Sequence, residues 1–172
     1  MIDRLTYISN KIVSTAQARL LCEGWRMKGE KIVFTNGCFD ILHHGHVYYL
    51  AEAAQLGNRL IVGLNSDVSV RGLNKSPERP INSQDSRSFV LASLGMVDLV
   101  VIFDEQTPLE LIEHLVPDVL VKGGDYDESQ EDSTDASYIV GSNIVKQNGG
   151  SVRTVPLKEG FSTTNIITKL RD

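Results

Sequence analysis

Two hydrophobic periodicities alternate along the chain. Short apolar runs rich in β-forming residues recur at positions 31–35, 59–64, 99–103, 119–121 and 152–155. Little polar alternation interrupts them, so they predict strands of a sheet covered on both faces. Between the runs, apolar residues repeat at helical spacing: Val47, Leu50 and Ala54; Phe89, Ala92 and Met96; Leu109, Ile112 and Val116. The last of these three helices carries a start signal, with Thr107 as N-cap, Pro108 in the first position and Glu110 closing a capping box. Ser83 is expected to cap the helix before it. Two more helices are predicted over positions 138–147, stopped by Asn148-Gly149-Gly150, and over 163–170.

Strand–helix–strand alternation over most of the chain implies one α/β domain of the Rossmann-like kind, spanning 31–172. Its core is expected to be an open, mostly parallel five-stranded sheet with helices on both faces. Residues 1–30 read as an N-terminal helical extension, helical over 6–28, with Ala16, Leu20 and Met27 as packing residues and Trp25 packing the helix. No internal repeat or linker breaks the pattern. On such sheets ligands bind beyond the C-terminal ends of the strands, near the point where strand order reverses.

At 172 residues and 19.0 kDa the chain has the length of a single domain. A 41% hydrophobic content excludes global disorder. No apolar run approaches the length of a membrane span. The first residues carry charges where a signal peptide needs an apolar stretch, so a cytoplasmic protein is expected. In that compartment Cys22 and Cys38 are expected as thiols. The net charge of −5 argues against nonspecific nucleic-acid binding. It is also concentrated: Asp125, Asp127, Glu128, Glu131, Asp132 and Asp135 lie together, and removing these six of the 22 acids leaves 16 against 17 bases. A local cationic site therefore remains compatible with the overall sign. The acidic stretch itself is expected to be a mobile loop pointing away from the site.

The chemistry concentrates after the first strand, in Thr35-Asn-Gly-Cys-Phe-Asp-Ile-Leu-His-His-Gly-His46, which holds three of the four histidines. Gly37 permits close backbone approach, and Gly45 lets a helix N-terminus lie against a bulky group. His43 and His46, three apart at a helix start, face the same way. Backbone N–H groups, the helix dipole and two imidazoles together suit a phosphate. The alternatives are ordinary loop histidines, or a metal site built from Cys38, His43 and His46. No further Cys or His pair exists to close a tetrahedral zinc site. A second signal, Gly160-Phe-Ser-Thr-Thr-Asn165, opens the final predicted helix. Its hydroxyls and N–H groups suit a further phosphate, the plain alternative being an N-cap by Ser162 or Thr163.

His43-His-Gly-His46 together with Gly160-Phe-Ser-Thr-Thr164 resembles the paired signatures of the cytidylyltransferase-like nucleotidyltransferases, from about Lys31 to the end of the chain. Within that group the sequence looks most like the adenylyltransferase domains of ADP-heptose synthases. The matching stretches begin at Phe34, at Gly63 (Gly-Leu-Asn-Ser-Asp67), at Arg79-Pro80, at Val121 (Val-Lys-Gly-Gly-Asp-Tyr126) and at Glu159. The resemblance implies adenylyl transfer from ATP to D-glycero-β-D-manno-heptose 1-phosphate, giving ADP-heptose and pyrophosphate for the lipopolysaccharide core. It implies ATP as substrate, with Mg²⁺ held mainly by phosphate oxygens and water.

Residue by residue, the resemblance puts His43 and His46 on the phosphates of ATP and Asp40 in the shaping of their turn, within the nucleotide-binding stretch Thr35, Asn36, Gly37, Cys38, Phe39. It places Asp67 and Arg87 along the site and Lys122, Gly124 and Asp125 near the nucleotide. Ser162, Thr163 and Thr164 would hold the outer phosphates, and Lys75 would neutralise charge between the α- and β-phosphates. On a helix, Arg87 has the alternative of a surface ion pair, and His114 reads as structural. The sugar-kinase domain that often accompanies the family is not recognised here, so a separate sugar kinase is expected to supply the acceptor. The partners implied are small molecules, without nucleic acid or membrane, and a homodimer is compatible. Ser76 stands where relatives tend to have Gly. The competing readings are a CTP-using glycerol-phosphate cytidylyltransferase, whose relatives carry an Arg where Leu157 stands here, and a nucleotide-binding module without activity.

Overall fold

The computed structural model describes residues 3–73, 78–124, 126–156, 158, 160–163, 166 and 167. Five strands, β1 (Ile32–Gly37), β2 (Arg59–Asn65), β3 (Leu99–Phe103), β4 (Val119–Gly123) and β5 (Ser151–Val155), lie where the apolar runs predict them. All pair in parallel, in the order β3-β2-β1-β4-β5. The helices are α1 (Arg4–Ser9), α2 (Thr15–Arg26), α3 (His44–Ala54), α4 (Asp67–Gly72), α5 (Gln84–Ala92), α6 (Leu109–Leu115) and α7 (Ser142–Gln147). This is an α/β Rossmann-like fold. Among the described residues no helix is long and apolar enough to cross a membrane.

Successive strand residues supply opposite faces of the sheet. Ile32 and Phe34 join one buried cluster, with Ala18 and Cys22 of α2, Leu111, Ile112 and Leu115 of α6, and Val145 of α7. Val33 joins the other, with Tyr49, Leu50 and Ala53 of α3 and Leu91 and Ala92 of α5. This two-sided burial explains why the strand sequences show so little polar alternation.

Several local expectations are corrected. In α2 the buried residues are Ala18 and Cys22, with Trp25 packed against the core, whereas Leu20 and Met27 are 68% and 90% exposed and Ala16 is exposed. The inward stripe is thus shifted in phase, because Cys22 is the residue that reaches the core; burial pushes its thiol up to about 11. In α5, Ser83 caps as expected, but Phe89 is exposed and Arg87 and Ser88 are buried instead. Helix α6 starts at Leu109, with Pro108 in the cap position and no side-chain cap, so Thr107 is one residue too far out to serve. Helix α7 starts at Ser142 rather than near Tyr138. Gly141 adopts φ +85°, and a Cβ there would meet Ile112 Cδ1 at 2.7 Å, so the chain turns before it coils. Of the expected C-terminal helix, Thr163, Ile166 and Ile167 are helical, and 164, 165 and 168–170 lie outside the described residues.

The N-terminal segment closes the β3 edge of the sheet. Val13 N–H donates to Val100 O at 3.0 Å and Val100 N–H to Lys11 O at 2.8 Å. An edge strand otherwise offers unpaired donors and acceptors to other chains. The other consequence of the topology is functional. The chain leaves β1 towards β2 and β3, then crosses back to β4 and β5, so strand order reverses between β1 and β4. The C-terminal ends of those two strands therefore flank the crevice where ligands bind such sheets.

Candidate functional site

A cleft of about 620 Å³ opens at that point. Its floor is the turn after β1. Phe39 adopts φ +43°, a left-handed conformation that costs a bulky residue strain and marks functional turns. Gly37 leaves room for its ring, since a Cβ there would lie 3.0 Å from Phe39 Cε2. The Phe39 ring in turn meets His46 edge-on, with 5.2 Å between centroids.

His43 is the N-cap of α3, with its Nδ1 accepting from the His46 backbone N–H at 3.4 Å. An accepting Nδ1 puts the single ring proton on Nε2, so His43 presents an N–H donor on its other side. The two imidazoles are stacked at 3.8 Å. Burial pushes His46 down to about 4, assisted by His43 and by the charge of Arg79, while the Ile41 backbone acts in the opposite sense. Burial also lowers His43. Both rings are thus neutral near pH 7, and the buried His46 Nδ1 has no hydrogen-bond partner among the described residues. Gly45 sits between them and the C-terminal segment: a Cβ there would lie 3.0 Å from Phe161 Cβ and 3.1 Å from the His43 ring. Phe161 packs on His44 at 4.7 Å, which brings Ser162 and Thr163 into the same cleft.

On the β4 side Lys122 is buried and donates from Nζ to Asn36 Oδ1, joining the two strand ends across the reversal point. Its Nζ also lies 5.3 Å from the Tyr126 ring centroid. Below, the Tyr49 hydroxyl donates to Val121 O at 3.1 Å and shares a 2.7 Å bond with Thr35 Oγ1. Thr35 thus fastens α3 to the sheet beneath the cleft.

Of the sequence candidates, Asn36, Gly37, Cys38, Phe39, His43, Gly45, His46, Lys122, Ser162 and Thr163 line the cleft. Thr35, Asp40, Asp67, Arg87 and Gly124 do not. Asp40 is buried and accepts from Ile81 N–H at 2.8 Å, Asn82 N–H at 3.0 Å and Arg79 Nε at 3.0 Å. Burial raises its pKa, but these donors outweigh that effect and hold the carboxyl below its usual range. Asp40 thereby ties the turn after β1 to the segment 79–82. Arg87 is neither a cleft wall nor a surface ion-pair partner. It is 2% exposed and donates to Asn82 O, Cys38 O and Asn65 O, and to Asp67 Oδ1 at 2.7 Å. With those acceptors it ties the ends of β1 and β2 to α5, and Asp67 is its counter-ion. Lys75, Asp125 and Thr164 lie outside the described residues.

Asn65, Gln106, Thr107, Tyr138 and Lys158 also line the cleft without having been singled out. Asn65 could have been found from the strand-end rule alone, as the last residue of β2. The acidic stretch is folded on itself. Asp127, Asp132 and Asp135 each accept from the backbone and hydroxyl of the residue two positions on, and Asp127 N–H donates to Ser137 O at 3.0 Å. Glu128 accepts from the backbone and hydroxyl of Thr154. Ser133 and Asp135 border the cleft, so at Asp135 the loop does not point away as expected. No group of three or more His, Cys, Asp or Glu among the described residues is arranged to hold a metal ion.

The cytidylyltransferase-like family model matches residues 34–169. The bifunctional protein HldE of Magnetococcus marinus is 51% identical over 162 residues, 94% of this chain and 31% of that protein. HldE of Caulobacter vibrioides is 52% identical over 160 residues, 93% of this chain and 31% of that protein. The chain thus spans about a third of the length of the curated relatives it matches. Among solved structures, a lipopolysaccharide core biosynthesis protein from Thermoplasma volcanium aligns with TM-score 0.58 and 28% identity, covering 76% of this chain and 98% of that one. A pantoate-β-alanine ligase from Francisella tularensis aligns with TM-score 0.60 and 15% identity, over 93% of this chain and 76% of that one, which is a likeness of fold.

Proposed function

The chain belongs to the cytidylyltransferase-like family, and from that membership we propose that it transfers AMP from ATP to D-glycero-β-D-manno-heptose 1-phosphate, releasing pyrophosphate and forming ADP-heptose for lipopolysaccharide core synthesis. The observation that carries the reading is the identity of about 50%, over nearly the whole chain, to bifunctional HldE proteins, which contain such an adenylyltransferase domain. A sugar kinase supplies the acceptor. We place the reaction in the cytoplasm, where ATP is available.

The cleft suits a transfer that depends on positioning and charge. A phosphate oxygen of the acceptor forms the new bond to the α-phosphorus. The bond from that phosphorus to the bridging oxygen breaks, and its electron pair leaves with pyrophosphate. The attacking oxygen is already anionic, so no general base is needed. His43, held as a donor at Nε2 by its cap bond, and His46, beside it in the first turn of α3, contact the phosphates. The dipole of α3 adds to that attraction. Ser162 and Thr163 hold the outer phosphates, and Lys122 lines the same cleft from the end of β4. Mg²⁺ enters bound to ATP, carried by phosphate oxygens and water.

The test is incubation of the protein with Mg²⁺, either ATP or CTP, and either heptose 1-phosphate or glycerol phosphate. Pyrophosphate and ADP-heptose are expected with ATP. Turnover with CTP and glycerol phosphate instead, or no turnover with either nucleotide, would overturn the reading.

A further inference from the structure

The inference that follows rests on the reaction proposed above, in which the cleft must hold two polyanions. The two motif imidazoles are neutral, held so by burial. Among the described residues lining the cleft, the cationic side chains are Lys122 and Lys158, set against the carboxylate of Asp135. Lys122 stands at the end of β4, with its Nζ on Asn36 Oδ1.

Lys158 is held against α3, and so is Phe161, which lies just after it in the chain. Phe161 lies on His44, with 4.7 Å between ring centroids. Three residues earlier in the chain, Lys158 Nζ lies 5.0 Å from the centroid of the Tyr48 ring. His44 and Tyr48 are neighbours one turn apart on the helix, a rise of about 5.4 Å. Lys158 and Phe161 therefore both lie against the first turns of α3, with the Lys158 ammonium group over an aromatic face. Such an arrangement orients a cation while leaving its N–H donors directed outward. The hydroxyls of Ser162 and Thr163 follow immediately in the chain and line the same cleft.

We propose that Lys158 is a phosphate-binding residue of this site, contacting the β- and γ-phosphates that depart as pyrophosphate. Its place just before Ser162 and Thr163, which line the same cleft, assigns it to the leaving group rather than to the acceptor. During transfer the ammonium neutralises the charge that builds on the departing oxygen. It supplies the charge that the neutral imidazoles do not.

The experiment is calorimetric titration of inorganic pyrophosphate, with Mg²⁺, into the full chain and into Lys158→Met and Lys158→Arg. Lys158 is exposed, so both variants should keep the parent melting temperature. Loss of a charge-assisted contact should weaken binding about tenfold or more in Lys158→Met, and Lys158→Arg should stay within about threefold of the parent. Equal affinity in Lys158→Met, equal loss in Lys158→Arg, or no binding by the unaltered chain overturns the proposal. Because titration needs no turnover, a chain that binds pyrophosphate through Lys158 but makes no ADP-heptose overturns only the reading of the reaction.

Discussion

The imidazole rings of His43 and His46 are stacked, with centroids 3.8 Å apart and planes 19° from parallel. Two imidazolium ions would repel strongly at that spacing, and burial already pushes His46 down to about 4. In the unfolded chain His46 titrates near its ordinary value of 6.5. Between those two values the unfolded chain binds the additional proton, so stability falls as the pH falls through that window. Denaturant titrations from pH 7 to pH 4 should lose up to about 1.4 kcal/mol per pH unit from this group. His46→Gln should flatten that part of the profile; an identical profile in the variant would show that His46 is not the group responsible.

His46 also separates stability from turnover. Its buried Nδ1 has no hydrogen-bond partner among the described residues, so the folded protein gains nothing from that atom before ligand arrives. His46→Gln at pH 7.5 should melt within a few degrees of the parent. Pyrophosphate release should fall about 10²-fold or more, the usual cost of losing one donor to transition-state charge. A variant with parental kcat would remove His46 from the phosphate site.

Gly45 sets two effects against each other. In the first turn of a helix, Gly→Ala gains up to about 1 kcal/mol in propensity. Yet the new methyl would lie 3.0 Å from Phe161 Cβ and 3.1 Å from the His43 ring, tighter than ordinary van der Waals contact. The relief available is movement of Phe161, which carries Ser162 and Thr163 with it. Gly45→Ala is therefore expected to keep its melting temperature within a few degrees while kcat/KM for ATP drops about tenfold or more. Parental kinetics in this variant would mean that the Phe161 segment need not lie against α3.

The strands, the fold class and the position of the cleft were all legible in the chain. They depend on hydrophobic runs and on a topological rule that any parallel sheet obeys. Close approach was legible at Gly37 and Gly45, whereas the His43 cap emerges only from the fold. Arg87 and Asp67 show why the rest was not. The family resemblance places both along the site, but only the fold reveals that carbonyls of Cys38, Asn65 and Asn82 and the Asp67 carboxylate converge on Arg87, so that its charge is spent inward. Lys158 shows the reverse. Its neighbours in sequence say nothing of Tyr48, which reaches it through the helix after a different strand. The phase of α2 failed for a similar reason, since Leu20 is the more apolar residue and yet the face packed on the core carries Ala18 and Cys22.

Arg87 is accordingly expected to matter for folding before it matters for chemistry. Its guanidinium, 2% exposed, has acceptors on Cys38, Asn65, Asn82 and Asp67. Arg87→Met would leave those carbonyls and one carboxylate without their donor, a loss of about 3–5 kcal/mol. Asp67→Asn keeps an oxygen acceptor on a side chain that is 25% exposed, and should cost about 1 kcal/mol. Urea denaturation of both variants measures the difference. If Arg87→Met lost turnover while keeping the parental midpoint, Arg87 would belong to the ligand site after all.

The acidic loop offers the last test, because two of its features pull in opposite directions. Asp135 borders a cleft meant for polyanions, which should oppose their binding. Its carboxylate, like those of Asp127 and Asp132, is at the same time held below the ordinary range first by the hydroxyl and then by the backbone N–H of a residue two positions on. Each therefore remains charged well below neutral pH and serves as a turn acceptor. Asn can replace Asp in that turn without the charge, since its side-chain oxygen accepts the same bonds. Changing Asp127, Asp132 and Asp135 together to Asn should therefore leave the fold intact and remove only the repulsion. The expected outcome is a KM for ATP unchanged or lowered by up to about threefold at low salt, with the difference shrinking as ionic strength rises. Glu128, whose carboxylate accepts from Thr154 on β5, is left in place so that the loop stays tied to the sheet. A large fall in kcat at saturating Mg²⁺ would instead show that these carboxylates take part in the reaction.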